Sequence, residues 1–203
     1  NMDAEESMII QDAIDGELHA YTGVGGMKPQ WFGKVTKYPK RSIYEFETDV
    51  RFNDGGSGTM KGSIQYELPT VETELIRLHT QFKTAESVQS QLVKTITNKA
   101  VYMTGPLMSS RESYAEKRNY LINYVEDQIN RGVYKTVQRD VRVLDPLTGQ
   151  EKSAVVVEIV MENGQPMRQE ESVLLAFGIK PFNFAIHSLD YDKKVENQID
   201  EQQ

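Results

Sequence analysis

Three stretches of differing hydrophobic spacing, strand-like, helical and strand-like again, follow one another along the 203 residues. Over residues 8–66, apolar positions come in short runs of period two broken by turn residues, which predicts strands. Met8-Ile9-Ile10 and residues 17–22 make the first two runs, separated by Asp15-Gly16. Residues 42–50 set Tyr44, Phe46 and Val50 opposite Ile43, Glu45, Glu47 and Asp49. Asn53-Asp54-Gly55-Gly56 interrupts, and alternation resumes with Ile64, Tyr66 and Leu68 on one side. From Pro69 to Gly132 the period lengthens to that of a helix. Thr70 is placed to cap a first helix carrying Val71, Leu75, Leu78 and Phe82. Thr84 caps a second, with Val88, Leu92, Ile96 and Ala100, which Gly105-Pro106 stops. Ser109 and Glu112 form a capping box that opens a third, with Tyr114, Leu121, Ile122, Val125 and Ile129 inside and Gly132 just past its end.

Alternation returns at Val133, where Val133, Val137, Val141 and Val143 share one parity against Thr136, Gln138, Asp140 and Arg142. Residues 154–161 make a dense β-branched strand, and Asn163-Gly164 is a hairpin turn signal. Phe182, Phe184 and Ile186 mark a last strand, after which Asp190 or Asp192 can cap an exit helix with Val195 and Ile199 at i, i+4. The pattern predicts an α+β fold: a mixed, mostly antiparallel sheet packed with helices, an inserted β-hairpin, and the start of a C-terminal helix. So short an exit helix is marginal alone, and Asn1 before Met2 reads as an added residue; both point to a piece of a longer protein.

Charge narrows the function. Lys+Arg number 23 and Asp+Glu 30, a net −7, which argues against a general nucleic-acid binder. No apolar run reaches the ~20 residues of a spanning helix. Cysteine is absent, which removes disulfides, thiolate catalysis and Cys-ligated metals. His19, His79 and His187 sit in three segments without ligand spacing and read as surface or boundary residues. Gly23-Val24-Gly25-Gly26 and Gly58-Thr59-Met60-Lys61-Gly62 lack the spacing of phosphate-cradling loops. Capping already explains Ser109, and the carboxylates read as solvated charge. No catalytic residue, cofactor site or metal site is assigned, and a hydrolase built from scattered carboxylates stands last among the functional readings.

One stretch departs from the average. Residues 18–44 contain no Asp or Glu, yet hold Lys28, Lys34, Lys37, Lys40 and Arg41 interleaved with Tyr21, Trp31, Phe32, Tyr38 and Tyr44. The plain reading is strands with aromatic residues inside and lysines in water. The other is contact with a membrane surface, where aromatic rings favour the interface and each nearby cation gains about 1 kcal/mol at anionic lipid. On that reading Trp31, Phe32, Lys34, Lys37, Lys40 and Arg41 are the contact candidates.

Several segments together resemble the SPFH or band 7 domain of stomatins, prohibitins, flotillins and bacterial regulators of membrane-bound AAA proteases. They are Met8-Ile9-Ile10-Gln11 with Gly16-Glu17-Leu18, Gly25-Gly26 through Phe32-Gly33-Lys34-Val35 with Tyr38-Pro39, and Val50-Arg51-Phe52. Residues 62–69, Asn130-Arg131-Gly132-Val133, Phe177-Gly178-Ile179-Lys180 and Ile186-His187-Ser188-Leu189-Asp190-Tyr191 continue the likeness over residues 8–189. Residues 134–172 depart from it as an insertion, and residues 190–203 resemble the start of the family's coiled coil. The resemblance implies a non-enzymatic, membrane-associated scaffold, anchored N-terminally outside this sequence, with no cofactor. It would form a homo-oligomer through strand edges and the exit helix (Val195, Ile199) and organise a microdomain or regulate a partner such as a membrane protease. A second reading is a soluble binding module that acts through the insertion.

Overall fold

Both kinds of periodicity become regular structure in a computed structural model of the chain, described over residues 5–23, 33–144 and 148–201. The fold is α+β with antiparallel strand pairs. Residues 8–189, treated as one domain from the sequence, distribute over two compact units. The first comprises Asn1–Glu45, Ser63–Ile96 and Val173–Ala185, and the second Phe46–Gly62, Thr97–Ser172 and Ile186–Gln203. Strands β4 (Arg41–Arg51), β5 (Ser57–Glu67) and β10 (Lys180–Tyr191) pair in the order β10-β5-β4 and contribute residues to both.

In the first unit, β1 (Glu6–Gln11) lies between β2 (Leu18–Tyr21) and β3 (Lys34–Pro39). The register sets Gln11 opposite both Leu18 and Lys34, and Ile9 opposite both Ala20 and Thr36. Because side chains alternate across a strand, Leu18, Gln11, Lys34, Thr36 and Tyr38 share one face. Met8, Ile10, Tyr21 and Val35 cluster on the other. Helix α1 (Glu72–Phe82) buries Leu75 and Leu78. Its N-cap is Val71 without a side-chain cap, not the Thr70 that the sequence suggested. Thr84 does cap the next helix, α2 (Ala85–Ser87), accepting from the Ser87 amide. A π-helical turn over Val88–Val93 follows and buries both Leu92 and Val93, which a regular period would not have put on one face. A short helix α6 (Val173–Ala176) precedes Gly178 at φ +73.

The second unit is built on α3 (Lys94–Thr104) and α5 (Arg118–Arg131). The Ser109–Glu112 capping box forms, but it opens only the short helix α4 (Ser110–Tyr114). The expected third helix is thus two, because Ala115 leaves helical geometry at φ −115, ψ −115. α5 buries Leu121, Val125, Gln128 and Ile129. The insertion forms a ribbon of β6 (Thr136–Leu144) and β7 (Glu151–Ile159), then the small hairpin β8 (Met161–Glu162) and β9 (Gln165–Pro166). Asn163 at φ 52 and Gly164 at φ 76 make the turn that the dipeptide predicts. The Asp192 side chain caps α7 (Lys193–Asp200) by accepting from the Val195 amide.

Gly132 ends α5 at φ +116, and a Cβ there would collide with the Glu170 carbonyl. Its own carbonyl accepts from Arg168 Nη1 at 2.7 Å. Gly132→Ala is therefore expected to cost at least about 1–3 kcal/mol from backbone strain alone. Urea unfolding checks this through a lower midpoint at unchanged slope.

Candidate functional site

The basic and aromatic stretch is sorted by the sheet into partnered and unpartnered residues. Lys37 Nζ stands 3.7 Å from Glu6 Oε2, and Arg41 Nε 2.9 Å from Glu67 Oε1. Both carboxylates come from neighbouring strands outside the stretch, which is why the sequence could not reveal the pairing. Arg41 also lies 6.0 Å from the Phe182 ring centroid. The backbone of Lys40 is tied on both sides, its amide to the Glu5 carbonyl and its carbonyl to the Leu68 amide. Tyr38 is wholly buried and Tyr21 packs on Met8 and Ile10, so these aromatic rings face inward. Trp31 and Phe32, the two apolar contact candidates, lie outside the described residues, as do Lys28 and the Val24-Gly25-Gly26 part of the glycine loop.

Lys34 has a different environment. A cavity of about 270 Å³ opens at one end of the first unit, lined by Gln11, Leu18, Lys34, Thr36, His79 and Lys83. The first four come from adjacent positions on one sheet face, as the register requires. The other two stand one turn apart at the end of α1. Among the described residues, neither Lys34 nor Lys83 has a carboxylate partner. His79 is held by Tyr38, whose hydroxyl lies 2.6 Å from Nδ1 with the rings edge-on. Burial, and then the Glu86 carboxylate, push the Tyr38 phenol far above its ordinary value, so it stays protonated. A buried phenol needs an acceptor, and donation to Nδ1 leaves the imidazole proton on Nε2. Burial, then the Lys83 and Lys34 ammoniums, lower His79 from its ordinary value.

Lys83 itself is strained. It has φ 73 and ψ −36, and the Thr84 amide donates to the Phe82 carbonyl at 2.9 Å. This is a γ-turn centred on a lysine, an uncommon conformation for a residue with a long side chain.

The second unit offers a surface of another kind. A groove of about 400 Å³ runs between α5 and the insertion, with Leu107, Tyr120, Tyr124, Val157, Ile159 and Met161 in its walls. Val137 and Val143 are solvent-exposed, as are Leu144 and Val155; the valine parity legible in β6 does not face a core. The base of the ribbon is fastened by Asp127, whose carboxylate accepts from the Tyr134 hydroxyl at 2.6 Å and from Arg168 Nη2 at 2.8 Å. Burial would raise this carboxyl, but the hydrogen bonds from Tyr134 and Arg168 and the nearby arginines hold it below its usual range. Of the two exit-helix candidates, Val195 is 1% exposed and fills the space beside Gly56, while Ile199 is half-buried. A contact between copies through Val195 would first have to unseat it.

The remaining chemistry stays dispersed. His19 Nε2 is 3.9 Å from Glu17 Oε2 and His187 is exposed at the far strand. Among the described residues no group of three or more His, Cys, Asp or Glu side chains could hold a metal ion. No helix among them is long and apolar enough to cross a membrane. No protein-family model matches the chain, and no curated protein sequence matches it.

The low proton affinity of His79 has a stability consequence. The unfolded chain binds the proton more readily than the folded one, so the stability this group contributes is present above its free value of 6.5 and lost as pH falls. His79→Gln should shrink the loss of unfolding free energy between pH 7.5 and pH 5. Urea titrations of both proteins at the two pH values measure that difference, and equal losses would remove the assignment.

Proposed function

We propose that this chain is an SPFH or band 7-like module: a non-enzymatic scaffold that assembles at a membrane and organises a microdomain or regulates a membrane partner such as an AAA protease. Attachment would combine a family-type anchor with the surface of the first unit. The observation that carries the reading is the cationic end of that unit, where Lys34 and Lys83 have no carboxylate partner among the described residues while Lys37 and Arg41 are neutralised. The order of elements supports it as well. The resembling segments fall on β1, on the end of β4, on the close of α5, on the turn into β10 and on the strand that hands over to α7.

The contact set is thereby revised. Lys34, Lys40 and Lys83 become the expected lipid-facing cations, and Lys37 a paired bystander. Co-flotation with vesicles containing anionic lipid tests this. Lys34→Glu, Lys40→Glu and Lys83→Glu together should lower partitioning at least about tenfold, since each cation at an anionic surface is worth about 1 kcal/mol, whereas Lys37→Gln should change it little. Undiminished partitioning of the triple variant would sink the surface reading.

A second reading, a protein-binding module acting through the insertion, is favoured by the exposed apolar side chains of the β6–β7 ribbon. Val143→Lys with Val155→Lys should leave the unfolding free energy within about 0.5 kcal/mol of the parent, as expected for surface changes. The same variant should lose self-association in sedimentation equilibrium if copies meet through the ribbon. Unchanged association would exclude that route.

A further inference from the structure

We infer that the cavity between β3 and the end of α1 is a phosphate-binding site, built to take a terminal phosphate monoester between Lys34, Lys83 and His79. The inference bears on the membrane reading, but it stands on its own geometry and concerns a defined ligand rather than a charged surface.

The lining dictates the chemistry. Lys34 and Lys83 bring two ammonium groups to one opening, each a set of donors with no acceptor. His79, with Tyr38 hydrogen-bonded to Nδ1, carries its remaining proton on Nε2 and is a donor there. Thr36 and Gln11 add a hydroxyl and an amide, groups that serve as donors when needed. Among the described residues no Asp or Glu lines the cavity. A cation would find only the neutral oxygens of Thr36 and Gln11 there, against two positive charges. An oxyanion finds both charge and directional donors, the combination that makes strong hydrogen bonds.

Size points to a small group. At about 270 Å³ the cavity falls below the roughly 300–1,000 Å³ of sites that enclose drug-sized ligands. Among the described residues Leu18 is the one apolar side chain in the lining, so the walls they form are mainly polar. A monoester carries more negative charge than a diester and presents three terminal oxygens, which suits three donor groups arranged around one opening.

The backbone adds an independent observation. Lys83 occupies the γ-turn that closes α1, where glycine would be accommodated at lower cost. Strain of this kind persists where the surrounding structure demands it and gathers at ligand clamps. Here the turn places the Lys83 side chain beside His79 at the cavity, one turn from where its amide donates to the His79 carbonyl at 2.8 Å. The charges acting on His79 are Lys83 at the end of its own helix and Lys34 from β3; Glu86 in α2 acts on its partner Tyr38. An anion between the two lysines offsets their repulsion of the imidazolium and brings His79 back toward its ordinary titration.

The monoester could belong to a lipid headgroup such as phosphatidic acid or to a free phosphate compound. The experiment uses the full chain with its histidine ring carbons observed by NMR. Inorganic phosphate and glycerol 3-phosphate are titrated in, with chloride at matched ionic strength as the control. Saturable shifts of His79 alone among the three histidines, and a rise in its titration midpoint, are expected. Lys34→Ala with Lys83→Ala should weaken the phosphate affinity at least about tenfold, the scale of one lost charge-assisted hydrogen bond. Lys83→Gly provides a second check, because it should raise the melting temperature by relieving the turn while still weakening phosphate. Absence of a saturable His79 shift, or equal affinity in the double variant, overturns the site.

Vesicles then separate the two sources. Phosphatidylcholine vesicles containing phosphatidic acid are compared with vesicles matched in charge by phosphatidylglycerol, a diester. Preferential flotation with phosphatidic acid, competed by glycerol 3-phosphate, assigns the lipid. Phosphate binding without flotation keeps the site, assigns a free ligand and removes the membrane reading. Flotation without any His79 response removes the site and leaves membrane contact to surface charge alone.

Discussion

A tyrosine hydroxyl carried into a protein interior has to keep a hydrogen-bond partner, and both units of this chain are organised around that demand. Tyr38 in β3 meets His79 of α1 at 2.6 Å. Tyr66 in β5 is served by Ser42 and by Gln89 of the π-helical turn, and the Gln89 amide also donates to the Ile43 carbonyl at 2.9 Å. In the second unit Tyr134 donates to Asp127 of α5, and Tyr191 shares a 2.8 Å hydrogen bond with Ser113 of α4. In each case a side chain from a strand or its approach is paired with one from a helix. Burial raises all four phenols above their ordinary value. They therefore remain proton donors through any physiological pH, and the strand-to-helix links do not titrate away. Fixing β3 on α1 in this manner is also what brings Lys34 and Lys83 to one opening. The cationic cavity is thus framed by the same contact that satisfies Tyr38.

The second unit shows what the same demand does when the acceptor is charged. Asp127 accepts from Tyr134 and Arg168, Arg168 also reaches the Gly132 carbonyl, and Gln128 holds the Tyr134 amide. Arg168 further lies 5.3 Å from the Tyr134 ring centroid. These bonds knot the two ends of the insertion onto the close of α5. A two-stranded ribbon standing alone in water is marginal at best, and nine-residue strands with exposed valines on them are a liability. The polar knot supplies the rigidity that the ribbon's own burial does not. The salt bridge of Arg139 with Glu158 crosses the ribbon on the valine face and sets a charge pair among the apolar side chains. That arrangement suits a surface made to be covered by something of mixed character rather than by lipid tails.

What could be read from the sequence was what the chain decides locally. Asn163-Gly164 takes positive φ because that turn requires it at both positions. The Ser109 and Glu112 side chains close their box within four residues. The strand periods over residues 8–10, 17–22, 42–50 and 60–68 survive as β1, β2, β4 and β5, while β3, which the spacing did not single out, is set by its pairing with β1. Where tertiary packing intervened, the local reading failed. The helix expected from Ser109 to Gly132 breaks at Ala115, after the Ser110 hydroxyl and amide turn to Asp54, a partner 56 positions away. The π-helical turn escaped because the regular period puts Val88 and Leu92 on one face and leaves Val93 off it, whereas the wider turn buries all three. The ion pairs of Lys37 and Arg41 escaped as well: Glu6 and Glu67 lie beyond the acid-free stretch that drew attention to the cations. His79 read as a boundary residue, and by burial it is one. Its importance comes from Tyr38, 41 positions earlier in the chain, and from Lys34. Only its spacing from Lys83, four residues on and just past the end of the helix, could have raised suspicion.

An acidic protein with a cationic cavity faces two opposed electrostatic requirements. Its net charge of −7 repels an anionic surface or a phosphate compound at long range. At about 0.15 M salt the screening length is roughly 8 Å, so that repulsion is largely spent before contact. Inside that distance only the nearest charges count, and at this cavity those are Lys34 and Lys83. Steering therefore contributes little to association, and affinity rests on the short-range fit. Such a site discriminates by the number and placement of acceptor oxygens rather than by charge density. That favours a terminal phosphate over a merely negative surface.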